Sequence, residues 1–231
     1  MLKTYYHITK PRMVLMNVMV AAATYVFASP EVFDWETFAI MASGLAFVIA
    51  SACVFNNVAD RKLDTHMERT KNRALATGKV SPLQGVVYAF ALLVLGVALL
   101  MQVHLLALVA AMVGFFVYVF LYTPLKPKSG YALYVGAVAG ATPPLVGYAA
   151  AAHALDIYAW ALFAILFLWQ VPHFLAIARY RFDEYAAGGV PLLIKESPSG
   201  EARKKARKIF HYSLVFLLLF CLILILHRWI R

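Results

Sequence analysis

Charge is scarce in this chain of 231 residues: Asp, Glu, Lys and Arg supply 14% of it, against about 25% in a soluble globular domain. Acid is scarcer still, with 11 Asp and Glu against 21 Lys and Arg. Cysteine is almost missing. The two present, Cys53 and Cys221, fall inside apolar runs, so buried thiols are expected and a disulfide framework is excluded. Strict apolar–polar alternation is also lacking, which removes the closed β-barrel, the other architecture that satisfies its backbone in lipid.

What is present is apolar surface, at 63% of residues and a mean hydropathy of +0.75. No water-soluble fold hides that much, so the solvent is a bilayer. A span takes about 20 mostly apolar residues. On that template helices are expected near residues 13–29, 37–58, 82–102, 104–123, 131–152, 155–178 and 209–227. The fold class is therefore all-α, a polytopic transmembrane bundle of about seven spans. Residues 1–231 are expected to form a single membrane-embedded domain, with motif loops at 59–81 and 179–208. The first span can itself serve as the insertion signal, so no cleavable leader is required.

The net charge of +10 is distributed by topology. With the N-terminus in the cytoplasm and loops alternating, 19 of the 21 basic residues lie on the cytoplasmic side, and only Arg228 and Arg231 lie outside. That asymmetry is the positive-inside bias. It turns the excess charge away from nucleic acid and toward orientation, anionic lipid headgroups and an anionic substrate. Arg203-Lys204-Lys205-Ala206-Arg207-Lys208 then reads as a stop-transfer and headgroup run.

The acids sort by side as well. Glu31, Asp34, Glu36 and Asp156 fall in outer loops as solvated charges, and the other seven gather in two cytoplasmic stretches. In the first, Asn56, Asp60 and Asp64 recur every four residues and form one stripe on a helix. The stripe begins inside an apolar span, where a carboxylate is costly without a cationic partner. Mg2+ suits it, because that ion takes one or two carboxylates and leaves its other positions to water and phosphate oxygens. Arg69, Lys71 and Arg73 follow, suited to phosphate. Carboxylates for metal beside cations for phosphate are what a departing diphosphate needs. The plainer reading is a set of membrane-edge charges paired with one another. The second stretch carries Asp183 and Glu184 after the sixth span. It is either a solvated loop or a second metal site converging on the same pocket.

These residues resemble the UbiA-type intramembrane prenyltransferases, and among them the protoheme IX farnesyltransferases. The resemblance is carried by Asn56-x-x-x-Asp60-x-x-x-Asp64 with Met67-x-Arg69-Thr70-x-x-Arg73. It continues through Tyr122-Thr123-Pro124-Leu125-Lys126, Ala141-Thr142-Pro143-Pro144-Leu145 and Trp169-Gln170-Val171-Pro172-His173-Phe174. Arg181-Phe182-Asp183-Glu184-Tyr185 follows, and Thr9-Lys10-Pro11-Arg12 with Asn17 precedes them. It implies that farnesyl diphosphate loses diphosphate with Mg2+ assistance and that the allylic cation alkylates a vinyl group of haem b. Water then completes haem O. It also implies a set of site residues. Asn56, Asp60, Asp64, Arg69, Arg73 and Asp183 are catalytic, and Lys10, Asn17, Lys126, His173 and Glu184 bind substrate. Mg2+ is held by Asp60, Asp64 and Asp183. The partners are farnesyl diphosphate, haem b and the bilayer, with other haem-pathway or oxidase-assembly membrane proteins as further candidates and no nucleic acid. The resemblance places the protein in a bacterial inner membrane. It also implies nine spans where seven are found, and it is departed from at Lys62, Ala74, Ala132 and Glu184.

Three other functions compete. An aromatic or quinone-precursor acceptor would use the same diphosphate machinery. A carrier would place its carboxylates near the midplane between inverted repeats, whereas these cluster at one mouth. A non-catalytic homologue would keep the fold alone. His173, at a cytoplasmic span end, either lines the haem site or orients a propionate, or is a polar side chain bonded to a neighbouring carbonyl. His66 lies in the motif loop as a solvated side chain or a metal ligand, and the remaining histidines lack ligand-spaced partners. Pro143-Pro144 is expected to break the fifth span where it lines the pocket.

Overall fold

The computed structural model describes residues 2–230, so Arg231 lies outside the described residues. Among the described residues every regular element is helical. Seven helices or helix pairs there are long and apolar enough to cross a membrane. In chain order the helical elements, short ones included, are α1 Leu2–Ile8, α2 Pro11–Ala28, α3 Trp35–Ala59, α4 Arg61–Asp64, α5 Pro82–Leu100 and α6 Leu105–Phe116. The last of these continues as a π-helical turn, Val117–Tyr122. Then come α7 Thr123–Leu125, α8 Ala132–Gly140, α9 Pro143–Ala152, α10 Ile157–Tyr180, α11 Phe182–Ala187 and α12 Gly200–His227.

Polar residues mark where these helices begin. Asp34 caps α3 through the Thr37 N–H, Ser81 and Gln84 form a capping box before Pro82, and Asp156 accepts from Tyr158 and Ala159 at the start of α10. Each cap satisfies backbone donors that the first turn leaves free. Ser199 does the same for α12. That helix starts at Gly200, nine residues before the expected apolar boundary near 209. The boundary of hydropathy marks the membrane and not the helix: Glu, Arg, Lys and Ala are good helix formers, so the basic run is the helix's polar entry.

The fifth span is broken as expected. Pro143 has no N–H and ends the α8 ladder. The chain kinks at Ala141–Thr142, where the Thr142 hydroxyl donates to the Ala139 carbonyl at 2.8 Å. The second half, α9, is buried from Pro143 to Ala150 and forms the centre around which α2, α3, α6 and α10 pack. In lipid the hydrophobic effect does not hold helices together, and close van der Waals approach of small residues takes its place. α9 supplies that with a run of alanines and Gly147. A Cβ on Gly147 would stand 2.0 Å from the Ala21 carbonyl oxygen of α2. At the α3–α5 crossing, a Cβ on Gly96 would stand 2.8 Å from the Gly44 carbonyl oxygen.

Backbone cannot yield there as a flexible side chain can. Gly147→Ala is therefore expected to destabilise the protein by about 1–3 kcal/mol, the range for overpacking, read as a lower unfolding midpoint in detergent. An unchanged midpoint would mean that α2 and α9 are not in contact.

Candidate active site

α3 ends in the stripe expected from its spacing, and the structure buries it. Asn56, Asn57, Asp60 and Asp64 are 1–4% exposed. Two ion pairs neutralise the carboxylates. Lys126 Nζ lies 2.7 Å from Asp60 Oδ2. Arg73 Nη1 donates to both oxygens of Asp64, at 3.0 and 2.8 Å. Thr70 folds the loop back, its hydroxyl donating to the Asp64 carbonyl at 3.1 Å, and so presents Arg73 to the helix end.

Lys10 joins from the N-terminal side. Its ammonium donates to Asn56 Oδ1 at 2.5 Å. The Asn56 amide in turn donates to Asp60 at 3.1 Å and to the Thr123 hydroxyl at 3.2 Å. Lys10 also holds a left-handed backbone, with φ 55° and ψ 61°, which costs a non-glycine residue about 1–2 kcal/mol. Strain of this kind gathers at functional sites. Desolvation lowers the Lys10 pKa to about 8, and the cations of Arg73 and Lys126 add to the effect against opposition from Asp60.

Beneath this cluster lies an apolar cavity of about 340 Å3. Asn17 and His173 line it, with Met16, Phe115, Leu166 and Phe174 among the apolar wall. The charged residues are not in that wall. Cluster and cavity meet through the π-helical turn: Tyr118 and Tyr122 line the cavity, the Thr123 hydroxyl donates to the Tyr118 carbonyl at 2.8 Å, and Thr123 accepts from Asn56. π-helical turns recur at functional sites.

The acids of the second stretch are each paired with arginines. Asp183 is held by the guanidinium fork of Arg203, with Nη2 donating at 2.9 Å, and its side chain is 67% exposed. That hydrogen-bonded fork draws the Asp183 carboxyl below the usual range. Glu184 is shared by Arg181 at 2.8 Å and Arg69 at 3.6 Å. Among the described residues no three His, Cys, Asp or Glu side chains stand together as a metal-binding group. The structure thus joins Asp60 and Asp64 through α3 and does not bring Asp183 to them, because Arg203 of the basic run on α12 takes that carboxylate first.

Four participants have no role assigned from the sequence, although Thr123 and Gln170 stand in its motifs. Asn57 donates to the Ile8 carbonyl at 2.7 Å and accepts from Arg73, which ties α1 to the cluster. Its place seven residues before Asp64, on one helical face, was the available signal. Thr123 is the link described above. The Ser213 hydroxyl of α12 is hydrogen-bonded to His173 Nδ1 at 2.7 Å, and its carbonyl accepts from Trp169. Gln170 lines the cavity with its Oε1 buried and unpartnered, at a cost of about 1–3 kcal/mol.

The sequence matches the UbiA prenyltransferase family over residues 16–230. The chain belongs to that family. Curated UbiA-type relatives named protoheme IX farnesyltransferase are similar to it. The one from Protochlamydia amoebophila is 42% identical over 84% of this chain and 69% of its own length. That from Serratia proteamaculans is 42% identical over 84% of this chain and 66% of its own. The chain thus spans about two thirds of the length of these relatives. The fold is shared with a solved UbiA homolog from Archaeoglobus fulgidus bound to DMAPP and Mg2+, at a TM-score of 0.73 and 15% identity over 98% of this chain and 85% of that one. Seven membrane-length helices in a family of this fold make the protein an integral membrane protein.

Removing one partner of a buried ion pair leaves the other charge uncompensated. Arg73→Met, which strands Asp64 at 1% side-chain exposure, is expected to cost about 3–5 kcal/mol, measured by unfolding in detergent. A loss below about 1 kcal/mol would mean that Arg73 and Asp64 do not form a buried ion pair.

Proposed function

We propose that this chain transfers a farnesyl group from farnesyl diphosphate to a vinyl group of haem b, with water completing haem O. The observation that carries the reading is the charge balance of the cluster above the cavity. Lys10, Arg73 and Lys126 face Asp60 and Asp64, so the cluster holds one positive charge in excess. A magnesium complex of a fully ionised diphosphate monoester carries one negative charge and closes that balance. The carboxylates and the Asn56 amide are hard oxygen donors of the kind Mg2+ takes, with phosphate oxygens completing its shell. The names of the similar curated relatives support haem b as the acceptor.

Asp60, Asp64 and Asn56 would hold the ion. When bound, it neutralises the charge that develops on the departing diphosphate. Lys10, Arg73 and Lys126 act on the same oxygens as fixed donors aimed where charge grows. Arg69 reaches the phosphates once released by Glu184, and Asp183 supplies the second acidic site once its pair with Arg203 opens. The prenyl chain and the acceptor occupy the apolar cavity, where Asn17 and His173 are its polar contacts. The excess of basic residues at the motif end orients that end and the N-terminus to the cytoplasm of a bacterial inner membrane. The whole chain acts as one membrane-embedded unit.

Membranes expressing the chain in a host without its own haem O synthase are expected to contain haem O. Asp60→Ala lowers it by at least about 100-fold, in the range seen when a group stabilising transition-state charge is lost. Chelation of divalent metal stops the reaction and Mg2+ restores it. Prenylated phenol without haem O would move the acceptor to an aromatic ring.

Lys10 gives a pH signature. Below its pKa of about 8 the ammonium is present and attracts diphosphate. Above it that charge is lost, so affinity for farnesyl diphosphate is expected to weaken as pH rises through 8. Stability moves the other way, because the unfolded chain binds the extra proton between about 8 and 10.5 and folding is favoured as that proton is released. An inhibition constant for a diphosphate analogue that is flat from pH 7 to 9 would remove Lys10 from the binding site.

A further inference from the structure

Gln170 is the polar residue that the ion cluster leaves unexplained. It is 6% exposed and lines the cavity. Among the described residues its Oε1 is the one buried side-chain polar atom without a hydrogen-bond partner. Gly140 of α8 forms its seat: a Cβ there would stand 2.4 Å from Gln170 Nε2 and 2.5 Å from Oε1. Only a glycine lets the carboxamide lie where it does.

His173 follows one turn later on the same face of α10 and lines the same cavity. Its tautomer follows from Ser213. That hydroxyl has a single hydrogen and donates it to the Phe210 carbonyl at 2.7 Å. Toward His173 Nδ1, also at 2.7 Å, it therefore accepts. A neutral imidazole with hydrogen on Nδ1 carries its lone pair on Nε2. Trp169, stacked on the ring at 4.9 Å and bonded to the Ser213 carbonyl, fixes the arrangement. One helix thus presents the cavity with the Gln170 carboxamide and an imidazole nitrogen. A small molecule that donates a hydrogen to Nε2 and pairs with the amide fits between them, and water is that molecule.

We propose that Gln170 and His173 bind the water that terminates the reaction. The inference rests on the farnesylation of haem b proposed above. Loss of diphosphate breaks the C1–O bond of the farnesyl chain. The vinyl π pair of haem b then forms the new carbon–carbon bond and leaves a cation on the vinyl carbon next to the porphyrin. A lone pair of the held water forms the C–O bond. One O–H bond breaks, and its proton passes to His173 Nε2 and on to solvent with the released diphosphate. Nothing is oxidised or reduced. Without the water, the same cation sheds a proton from the adjacent carbon and becomes an alkene lighter by one water. Gln170 and His173 therefore set the ratio of alcohol to alkene.

The test is Gln170→Met, which keeps the shape and removes the hydrogen-bonding groups. The full chain in detergent is supplied with haem b, farnesyl diphosphate and Mg2+, and the haem products are separated by mass. The alcohol-to-alkene ratio is expected to fall at least about tenfold, and the unfolding midpoint to be no lower than wild type, since replacing an orphaned polar group by an apolar one of the same shape is neutral or stabilising. A structural glutamine would lower the midpoint and leave the ratio alone. Gly140→Ala, which displaces the carboxamide, is expected to shift the ratio in the same direction. An unchanged ratio in both variants overturns the proposal. Loss of all farnesylated haem from folded Gln170→Met also overturns it, because a group acting after the carbon–carbon bond forms does not prevent that bond. A wild type that makes no farnesylated haem overturns the functional reading and this inference with it.

Discussion

Two carboxylates buried at the end of a membrane helix constrain everything around them. An isolated ionised carboxylate in an apolar medium is prohibitively costly, so Asp60 and Asp64 exist in this fold only because Lys126 and Arg73 are delivered to them. Delivery fixes the paths of two loops. The segment after α4 must fold back through Thr70 to present Arg73, and the turn after the π-helical segment must carry Lys126 inward. The N-terminal segment is tied down by the same group, through Lys10 on Asn56 and Asn57 on the Ile8 carbonyl. The cluster organises one face of the bundle, and its excess positive charge suits that face to an anion.

Below the cluster the logic changes from charge to contact. α9 is surrounded by other helices and brings Gly147 and a run of alanines to them, beside buried Leu145, Val146 and Tyr148. The proline break that begins α9 does two things at once. It ends α8 with Gly140 beneath Gln170, and it places Gly147 directly on α2. The cavity is bounded by this kink and by the aromatic side chains of the π-helical turn. A polar roof and an apolar room beneath it match an amphiphilic substrate with a charged head and a hydrocarbon tail.

Much of this was legible in the residues. Seven apolar runs forecast the seven membrane-length helices, because lipid leaves the backbone no other satisfied conformation. The four-residue spacing of Asn56, Asp60 and Asp64 forecast one stripe, and Pro143-Pro144 forecast the break. The limits have physical causes. Apolar periodicity locates the membrane and is silent on polar helix extensions, so the start of α12 at Gly200 was missed. Spacing along one helix does not reveal which distant cation meets a carboxylate, and the pairing of Arg203 with Asp183 is legible only in the fold. Hydrogen bonds between helices, such as those of Ser213 to Trp169 and His173, depend on packing between α10 and α12 that no local pattern encodes.

The π-helical turn at Val117–Tyr122 has a meaning for the register of the chain. Such a turn takes up one residue more than the α-helix around it, and each residue turns the helix by about 100°. Wound as a regular α-helix without this turn, the same residues would carry everything downstream about 100° further round as a block. Thr123 would then swing away from Asn56, and Lys126 would no longer arrive at Asp60. The inserted residue therefore behaves as a phase setting: it lets one continuous helix satisfy a packing register at its start and a different, chemical register at its end.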